Sequence, residues 1–466
     1  MPTTIESLFA QNIRRPIEEV IKVGDTDDEQ IVADEISEYI ATDSICQHFE
    51  RILERYLETP NQPHDSVGVW VSGFFGSGKS SFAKLLGLAL DNRLIQNEPA
   101  GKRIGERTKS RKIQSLLAGI NERIPTHAVI FDVATERGIL SPNQRLTEIM
   151  YRLFLESLGY ARDLDLAELE ITLEQQNQLG EFESRYKELF EKPWASDKNL
   201  TVFSVGRASH VIHNMEPKTF PSPESWWQSA KKRSDVTPSR LAERAKDLTG
   251  RRRPGKSLVF VIDEVGQFVA RDDQKMLDLQ SIVESLGRVG RGKMWLIATS
   301  QERLDAKIDD FKGGRVEFSR MRDRFSIEVT LEPSDIKEVA SKRILAKNAA
   351  AESVLRVEYE KNRGALETHT RLTADVVLAP VSPQAFLDLY PMLPYQIGLM
   401  IDVVSGLRTQ GGTLRHVGGA NRTIIKLAQQ LLINPGVNMA GLMSSRRKST
   451  RLNSSHPSRS RMPSSA

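Results

Sequence analysis

Hydrophobic residues form two kinds of pattern along the chain: short continuous runs and longer stretches with a helical period. The continuous runs, each the length of one buried strand, lie at 67–72, 128–133, 258–262 and 294–298. A helical period, with apolar residues three or four positions apart, is found at 36–56, 80–90 and 144–158. Strands that alternate with helices predict an α/β fold, in which a parallel sheet has helices on both faces.

The segments between these elements predict how the chain is divided. Residues 1–60 form an N-terminal segment that leads into an α/β core at 61–332. Within that core, a charged stretch at about 160–250 predicts a helical insertion broken by prolines. Residues 333–443 predict a mostly helical domain of the kind that forms a lid. The predicted organisation is one sheet-based core with an insertion and a second, helical domain.

The last stretch, residues 444–466, is rich in Ser, Arg and Pro and has no hydrophobic period, so it cannot form a core. It is a basic arm for nucleic acid, a disordered end, or non-native sequence. We favour the third interpretation because the stretch resembles translated sequencing-adapter read-through. The stretch holds six basic residues and no acidic one. The rest of the chain has 59 basic and 61 acidic side chains, so the net charge of the body favours no particular partner.

The 466-residue chain has one cysteine, Cys46, which excludes an internal disulfide and any site built from several cysteines. No apolar run approaches the roughly 18 residues that a membrane-spanning helix needs. The N-terminus lacks the basic and apolar regions of a signal peptide. We therefore expect a cytoplasmic protein that makes no membrane contact.

A glycine-rich loop follows the first predicted strand and precedes a predicted helix. It fits the phosphate-loop pattern G-x-x-x-x-G-K-[ST] without a mismatch. In such loops the backbone N–H groups surround phosphate oxygens, the lysine contacts the β- and γ-phosphates, and the hydroxyl binds Mg²⁺. We therefore predict ATP and Mg²⁺ as ligands, with Ser80 on the metal. The predicted nucleotide-binding residues are Gly73, Phe74, Phe75, Gly76, Ser77, Gly78, Lys79, Ser80 and Ser81.

Two carboxylates end the third apolar run. Asp263 is predicted to hold the Mg²⁺ shell, and Glu264 to orient and activate the attacking water. The alternative is an acidic strand end that faces solvent. Glu264 favours hydrolysis over a pure binding switch, which would not require a second carboxylate.

Further candidates come from a similarity to AAA+ ATPases. Their next strand ends in a polar sensor, here one of Thr299, Ser300 and Gln301, with Gln301 or Ser300 favoured and Gln301 assigned to catalysis. The segment 315–329 is similar to the one that projects an arginine at a neighbouring subunit. Arg324 is the first choice for this finger, before Arg322 and Arg320, and the alternative is a solvated basic turn.

The segment 418–432 resembles the AAA+ lid helix, whose early arginine senses nucleotide. Arg422 occupies that position in this chain. The resemblance therefore implies an AAA+/ORC-like P-loop NTPase core with a lid that contributes Arg422 to nucleotide binding.

Other candidate residues lie in the predicted insertion. The basic clusters at 231–233 and 251–253 are candidates for DNA contact, although such clusters are more often solvated. The pair Trp226 and Trp227 is interpreted as packing or partner contact and not as base stacking.

Four segments together resemble the P-loop ATPases of BREX bacteriophage-defence systems, the BrxC/PglY family. They are the opening at 5–45, the loop segment at 73–87, LVFVIDEVGQFV at 258–269 and DLYPMLPYQIGLM at 388–400. The resemblance implies a cytoplasmic, homo-oligomeric ATPase that acts with a DNA methyltransferase and a phosphatase-like protein. Members of the family are far longer, so this chain corresponds to their N-terminal ATPase portion.

The expected function is ATP hydrolysis coupled to conformational change in a BREX defence complex. One alternative is a nucleotide-gated scaffold with negligible turnover. Another is an AAA+ ATPase of different physiology that remodels DNA or loads a ring onto it.

Overall fold

A computed structural model gives the fold. It describes residues 5–15, 23–24, 26, 28–59, 61–73, 77–136, 144–230, 236–269, 272–301, 304, 321–332, 338–339, 341–369, 381–400 and 420–433. Phe74, Phe75, Gly76, Arg320 and the basic stretches at 231–233 and 444–466 lie outside the described residues.

A five-stranded parallel sheet organises the chain and confirms the predicted α/β class. Its strands in chain order are β1 (Gly68–Gly73), β4 (Thr126–Asp132), β5 (Ser257–Asp263), β6 (Met294–Ser300) and β7 (Ile327–Leu331), while β2 (Leu94–Ile95) and β3 (Glu98–Pro99) form a separate antiparallel pair. The order across the sheet is β4-β5-β6-β1-β7. Every residue of β1, β5 and β6 is buried, as expected for parallel strands covered on both faces.

The helices begin and end close to the predicted segments. Those of the first part are α1 (Glu29–Glu38), α2 (Asp43–Glu58), α3 (Lys79–Asp91), α4 (Ala100–Thr108), α5 (Arg111–Arg123), α6 (Val133–Glu136) and α7 (Leu146–Ser157). The single segment predicted at 36–56 divides at Thr42, whose hydroxyl accepts a hydrogen bond from Ile45 N and caps α2.

The remaining helices are α8 (Leu164–Gln175), α9 (Leu179–Phe190), α10 (Trp194–Asp197), α11 (Thr201–Met215), α12 (Ser225–Ala230), α13 (Pro238–Arg252), α14 (Val265–Phe268), α15 (Asp273–Gly290), α16 (Ala349–His369), α17 (Pro383–Leu389) and α18 (Ala420–Ile433). None of the helices within the described ranges is both long and apolar enough to cross a membrane.

The stretch predicted as one helical insertion has two parts. Helices α8 to α12 surround their own aromatic core, in which Phe182, Tyr186 and Trp194 pack together and Trp226 is buried. Helix α13 instead packs in the main core and contacts α15. Trp226 therefore has the packing role that the sequence indicated, and the last helix of the stretch belongs to the sheet-based core.

A second helical unit contains both ends of the described chain. Ile5, Leu8, Phe9 and Ile13 share a hydrophobic core with 344–345 and with side chains of α16, α17 and α18. Backbone hydrogen bonds join the two ends, from Ala10 N to the carbonyl of Ala346 and from Asn348 N to the carbonyl of Leu8. The opening residues, which the sequence joined to the α/β core, therefore lie in the helical unit, whereas α1 and α2 pack in the main core.

Candidate functional site

The candidate site lies at the carboxyl edge of the sheet, where β1 ends in the glycine-rich loop. A Cβ atom at Gly73 would lie 2.4 Å from Ser77 Oγ and 3.0 Å from the carbonyl oxygen of Leu331, so only glycine fits there. Gly78 precedes α3 with φ +90°, a left-handed conformation that glycine adopts without strain. Ser77 Oγ is buried and has no hydrogen-bond partner among the described residues. The described part of the loop is therefore a tight cradle with an unpaired polar atom, which fits an oxygen-rich ligand.

Lys79 is the first residue of α3 and is only 8% exposed. Burial lowers the pKa of Lys79 to about 8, and the negative charges of Asp263 and Glu264 oppose that shift. The lysine thus stands within electrostatic reach of both predicted acids. Ser80 and Ser81, which follow it, are partly exposed in the first turn of α3.

Asp263 ends β5 and is held by a residue of the neighbouring strand. Thr299 Oγ1 donates a hydrogen bond to Asp263 Oδ1 and accepts one from Glu264 N at 2.9 Å. One threonine hydroxyl therefore positions both predicted acids, using one carboxylate oxygen of Asp263.

The three residues predicted as sensor candidates at the end of β6 lie in different surroundings. Thr299 contacts the acids, whereas Ser300 Oγ would lie 2.0 Å from a Cβ atom at Gly266 and so packs against α14. Gln301 is half-buried just beyond the strand. The contacts thus favour Thr299 over Gln301 and Ser300, the two candidates that the sequence favoured. Side-chain alternation in a strand puts Thr299 and Ser300 on opposite faces, and only the order of strands shows which face meets the acids.

A third carboxylate, Asp132, belongs to the site, although the sequence did not single it out. It ends β4 and is the register partner of Asp263, and its Oδ1 accepts a hydrogen bond from Ala134 N at 2.8 Å. Burial is the main cause that raises the pKa of Asp132, and the charge of Asp263 adds to it. The only sequence signal for Asp132 was its place at the carboxyl end of a predicted strand. The pairing of β4 with β5, which brings Asp132 next to Asp263, is seen only in the structure.

Glu264 follows β5 in a left-handed conformation, with φ 58° and ψ 23°. Burial raises its pKa to about 7, with further contributions from Asp132 and Asp263, and Lys79 opposes the shift. A carboxyl group whose pKa lies near neutrality is suited to accept a proton at physiological pH.

Arg324 lies at the opposite edge of the sheet. Its carbonyl oxygen would be 2.6 Å from a Cβ atom at Gly68, where β1 begins, and the next residue, Phe325, packs edge-on against Trp70. The glycine-rich loop follows the other end of β1, about 20 Å away for a six-residue strand. The Arg324 side chain forms an ion pair with Glu284 at 3.7 Å. Arg324 therefore does not reach the loop of its own chain.

Arg322 is exposed beside Arg324, and Arg320 lies outside the described residues. Arg422 belongs to α18 in the second helical unit, and its side chain is not among those described.

The donor set at the carboxyl edge fits Mg²⁺, which usually takes one or two carboxylates together with phosphate oxygens and waters. Ser80 and Asp263 are the residues that would hold it. Among the described residues there is no group of three or more His, Cys, Asp or Glu side chains that could hold a metal ion.

The basic cluster at 251–253 is occupied by contacts within the chain. Arg251 pairs with Asp247, and Arg253 donates to the carbonyl of Ser157. Arg252 lies over the ring of Tyr160 and pairs with Glu174. Arg252 and Arg253 thus join the end of α13 to neighbouring elements, whereas the Arg251 pair lies within α13. The cluster at 231–233 lies outside the described part of the chain.

The chain matches no protein-family model and no solved structure. The fold therefore defines the class, an α/β protein with a parallel sheet flanked by helices.

Proposed function

We propose that this chain binds ATP with Mg²⁺ and hydrolyses it, and that its core is a P-loop NTPase of the AAA+/ORC-like kind. One observation carries the proposal: Lys79, Asp263, Glu264 and Thr299 come from three elements and meet at the carboxyl edge beside the loop. A phosphate loop, a metal-binding acid and a base must lie together in such a site. A solvent-facing acidic strand end would not bury Asp263 to 4% exposure.

The order of strands supports the AAA+ interpretation. Strand β6 lies between β1, which leads into the loop, and β5, which carries Asp263. Its polar end therefore stands between the phosphate cradle and the acids, the place where a sensor would contact attacking water. Thr299 is the residue that the contacts favour for this role.

Four residues of the candidate site each have their own task in the proposed reaction. The Lys79 ammonium balances charge on the β- and γ-phosphates, and loop N–H groups bind their oxygens. Glu264 accepts the proton of the attacking water, whose oxygen bonds to the γ-phosphorus as the bond to ADP breaks. Asp263 and Ser80 would hold Mg²⁺, which would neutralise charge on the phosphate oxygens.

We propose that this ATPase acts in a BREX phage-defence complex, because four of its segments resemble that family. On that interpretation it is a cytoplasmic homo-oligomer that acts with a DNA methyltransferase and a phosphatase-like protein and that contacts DNA. The location of Arg324 supports oligomeric action, because an arginine far from the loop of its own chain can act on nucleotide only in a neighbouring chain.

The test measures ATP binding and Mg²⁺-dependent phosphate release by wild type and Lys79→Ala. Lys102→Ala is the matched control, because Lys102 is an exposed lysine on α4 that pairs with Glu98. We expect Lys79→Ala to abolish binding or hydrolysis while the fold and the control remain unchanged. Equal ATP affinity and turnover in all three proteins would refute the proposal, and binding without turnover in wild type would favour the scaffold alternative.

A further inference from the structure

Helix α1 lies at the junction between the main core and the second helical unit. Its apolar residues Val32, Ala33 and Ile36 are buried in the main core. Two of its other residues, Glu35 and Glu38, lie three positions apart, so their side chains project from one face of the helix. Each of these carboxylates binds a different part of the molecule.

Glu35 binds the helix that follows the phosphate loop. The ammonium of Lys84 lies 2.8 Å from Glu35 Oε2, and the Lys84 side chain is only 1% exposed. Lys84 is five residues beyond Lys79 on the same helix, α3. A buried ammonium needs an anionic partner, and removal of one member leaves the other charge buried and uncompensated. The position of α3 therefore depends on that of α1.

Glu38 binds the second helical unit. The guanidinium of Arg343 donates to Glu38 Oε2, and Arg15 Nε lies 3.9 Å from Glu38 Oε1. Arg15 also donates to the carbonyl of Arg343 at 2.7 Å, which joins the opening segment to the residues just before Ile344. Because Ile344 is part of the second core, Arg343 connects that core to α1.

The two ion pairs share one small cavity of about 30 Å³. Its lining includes Glu35, Glu38, Lys84, Arg343 and Ser81, which lies in the first turn after the loop. That volume holds about one water and no larger ligand. The cluster is therefore a joint between elements, and it contacts the predicted nucleotide-binding segment at Ser81.

We propose that Glu35 and Glu38 form an ion-pair relay through which the second helical unit positions the phosphate-loop helix. Arg343 and Lys84 are its two ends, and both are positioning residues for the nucleotide site. A movement of the second helical unit pulls Arg343 and α1, and the Glu35–Lys84 pair transmits that movement to α3. The relay deepens the proposed function, because ATP binding at the loop and the position of the second unit then influence each other.

The experiment uses the full chain and two readouts. The first, made without nucleotide, is hydrogen exchange of backbone amides in α1, α3 and α9. The second is the dissociation constant of a fluorescent ATP analogue. The single variants are Arg343→Gln, Arg343→Lys and Glu35→Gln. The double variant combines Arg343→Gln with Glu35→Gln. Lys342→Gln is the matched control, because Lys342 is the exposed neighbour of Arg343 and forms an ion pair with Glu338.

We expect Arg343→Gln to speed hydrogen exchange in α1 and α3. Exchange in α9 should not change, because that helix packs in the separate aromatic core. ATP affinity should fall about fivefold or more, a typical coupling between sites. Arg343→Lys should recover part of both effects because it keeps the charge. The double variant should lose less affinity than the sum of the single changes, since both interrupt one relay.

The relay is overturned if Arg343→Gln leaves α3 exchange and ATP affinity unchanged while Lys79→Ala abolishes binding. It is also overturned if exchange rises equally in α9, which would show general destabilisation. If wild type does not bind ATP, the proposed function fails, and the nucleotide-free exchange of α3 still decides whether the link exists.

Discussion

Asp132 and Asp263 end two neighbouring parallel strands and stand directly opposite each other in the register of the sheet. Burial is the main cause that raises the pKa of Glu264, and the charges of both aspartates add to it. The acidic group at the carboxyl edge therefore comprises Asp132 and Asp263 at the ends of two strands and Glu264 just after the second, and the buried Lys79 opposes their charge.

Glu264→Gln should separate ATP binding from hydrolysis. The substitution is nearly isosteric and leaves Asp263 in place, but it removes the group that accepts the proton from water. We expect phosphate release to fall about 10²–10⁴-fold with ATP affinity retained, measured by single-turnover kinetics and equilibrium binding. Glu243→Gln, the same substitution at an exposed residue of α13, is the control. Unchanged turnover in Glu264→Gln would mean that another base acts.

Asp132→Asn should change the pH dependence of hydrolysis. Burial is the main cause of the raised pKa of Glu264, and the charge of Asp132 adds to it, so removal of that charge lowers the pKa from about 7 by part of the shift. Glu264 must be ionised to accept a proton, and activity therefore rises as pH rises through its pKa. We expect the acidic limb of the kcat/KM profile to move to lower pH by about one unit or less. Asp247→Asn, at a distant ion pair, should leave the profile in place, and an equal shift in both variants would contradict this role.

Thr299→Val should impair hydrolysis more than Gln301→Ala does. Valine has the shape of threonine but cannot donate to Asp263 or accept from Glu264 N. Loss of a hydrogen bond to a charged group costs about 1.5–3 kcal/mol, which corresponds to roughly 10–100-fold in rate if it is felt in the transition state. Thr299→Ser keeps the hydroxyl and should retain most activity in a steady-state assay. A larger loss in Gln301→Ala than in Thr299→Val would restore Gln301 as the sensor.

Arg324→Ala should lower hydrolysis without weakening ATP binding. Arg324 lies at the far edge of the sheet from the loop of its own chain, so any action on nucleotide must be on a neighbouring chain. A finger of this kind contributes about 10³–10⁵-fold in rate, and lysine is a poor substitute for its planar guanidinium.

The oligomeric action of Arg324 has two separate checks. ATPase activity per chain should rise with protein concentration. Mixing Arg324→Ala with Lys79→Ala chains should restore some activity, because a mixed interface pairs an intact arginine with an intact loop. If activity does not change on dilution and mixing restores none, Arg324 does not act on a neighbouring chain. Its role is then the structural ion pair with Glu284.

Local sequence patterns were sufficient for the elements that carry the loop and the first two acids. The apolar run before Gly73 and the helical period after Lys79 place the loop between a strand and a helix, which the structure confirms as β1 and α3. The apolar run before Asp263 likewise becomes β5. These predictions succeed because a few neighbouring side chains decide whether a segment forms a strand or a helix.

Only the tertiary structure decided which of these elements lie together. The membership of Asp132 in the site and the choice of Thr299 over Gln301 depend on the order of strands, and so does the far position of Arg324. The packing of Ile5 and Phe9 with residues after 343 joins chain segments more than 330 positions apart. Periodicity shows that a face is apolar, but which surface covers it depends on the packing of the whole chain, and a single sequence does not reveal that choice.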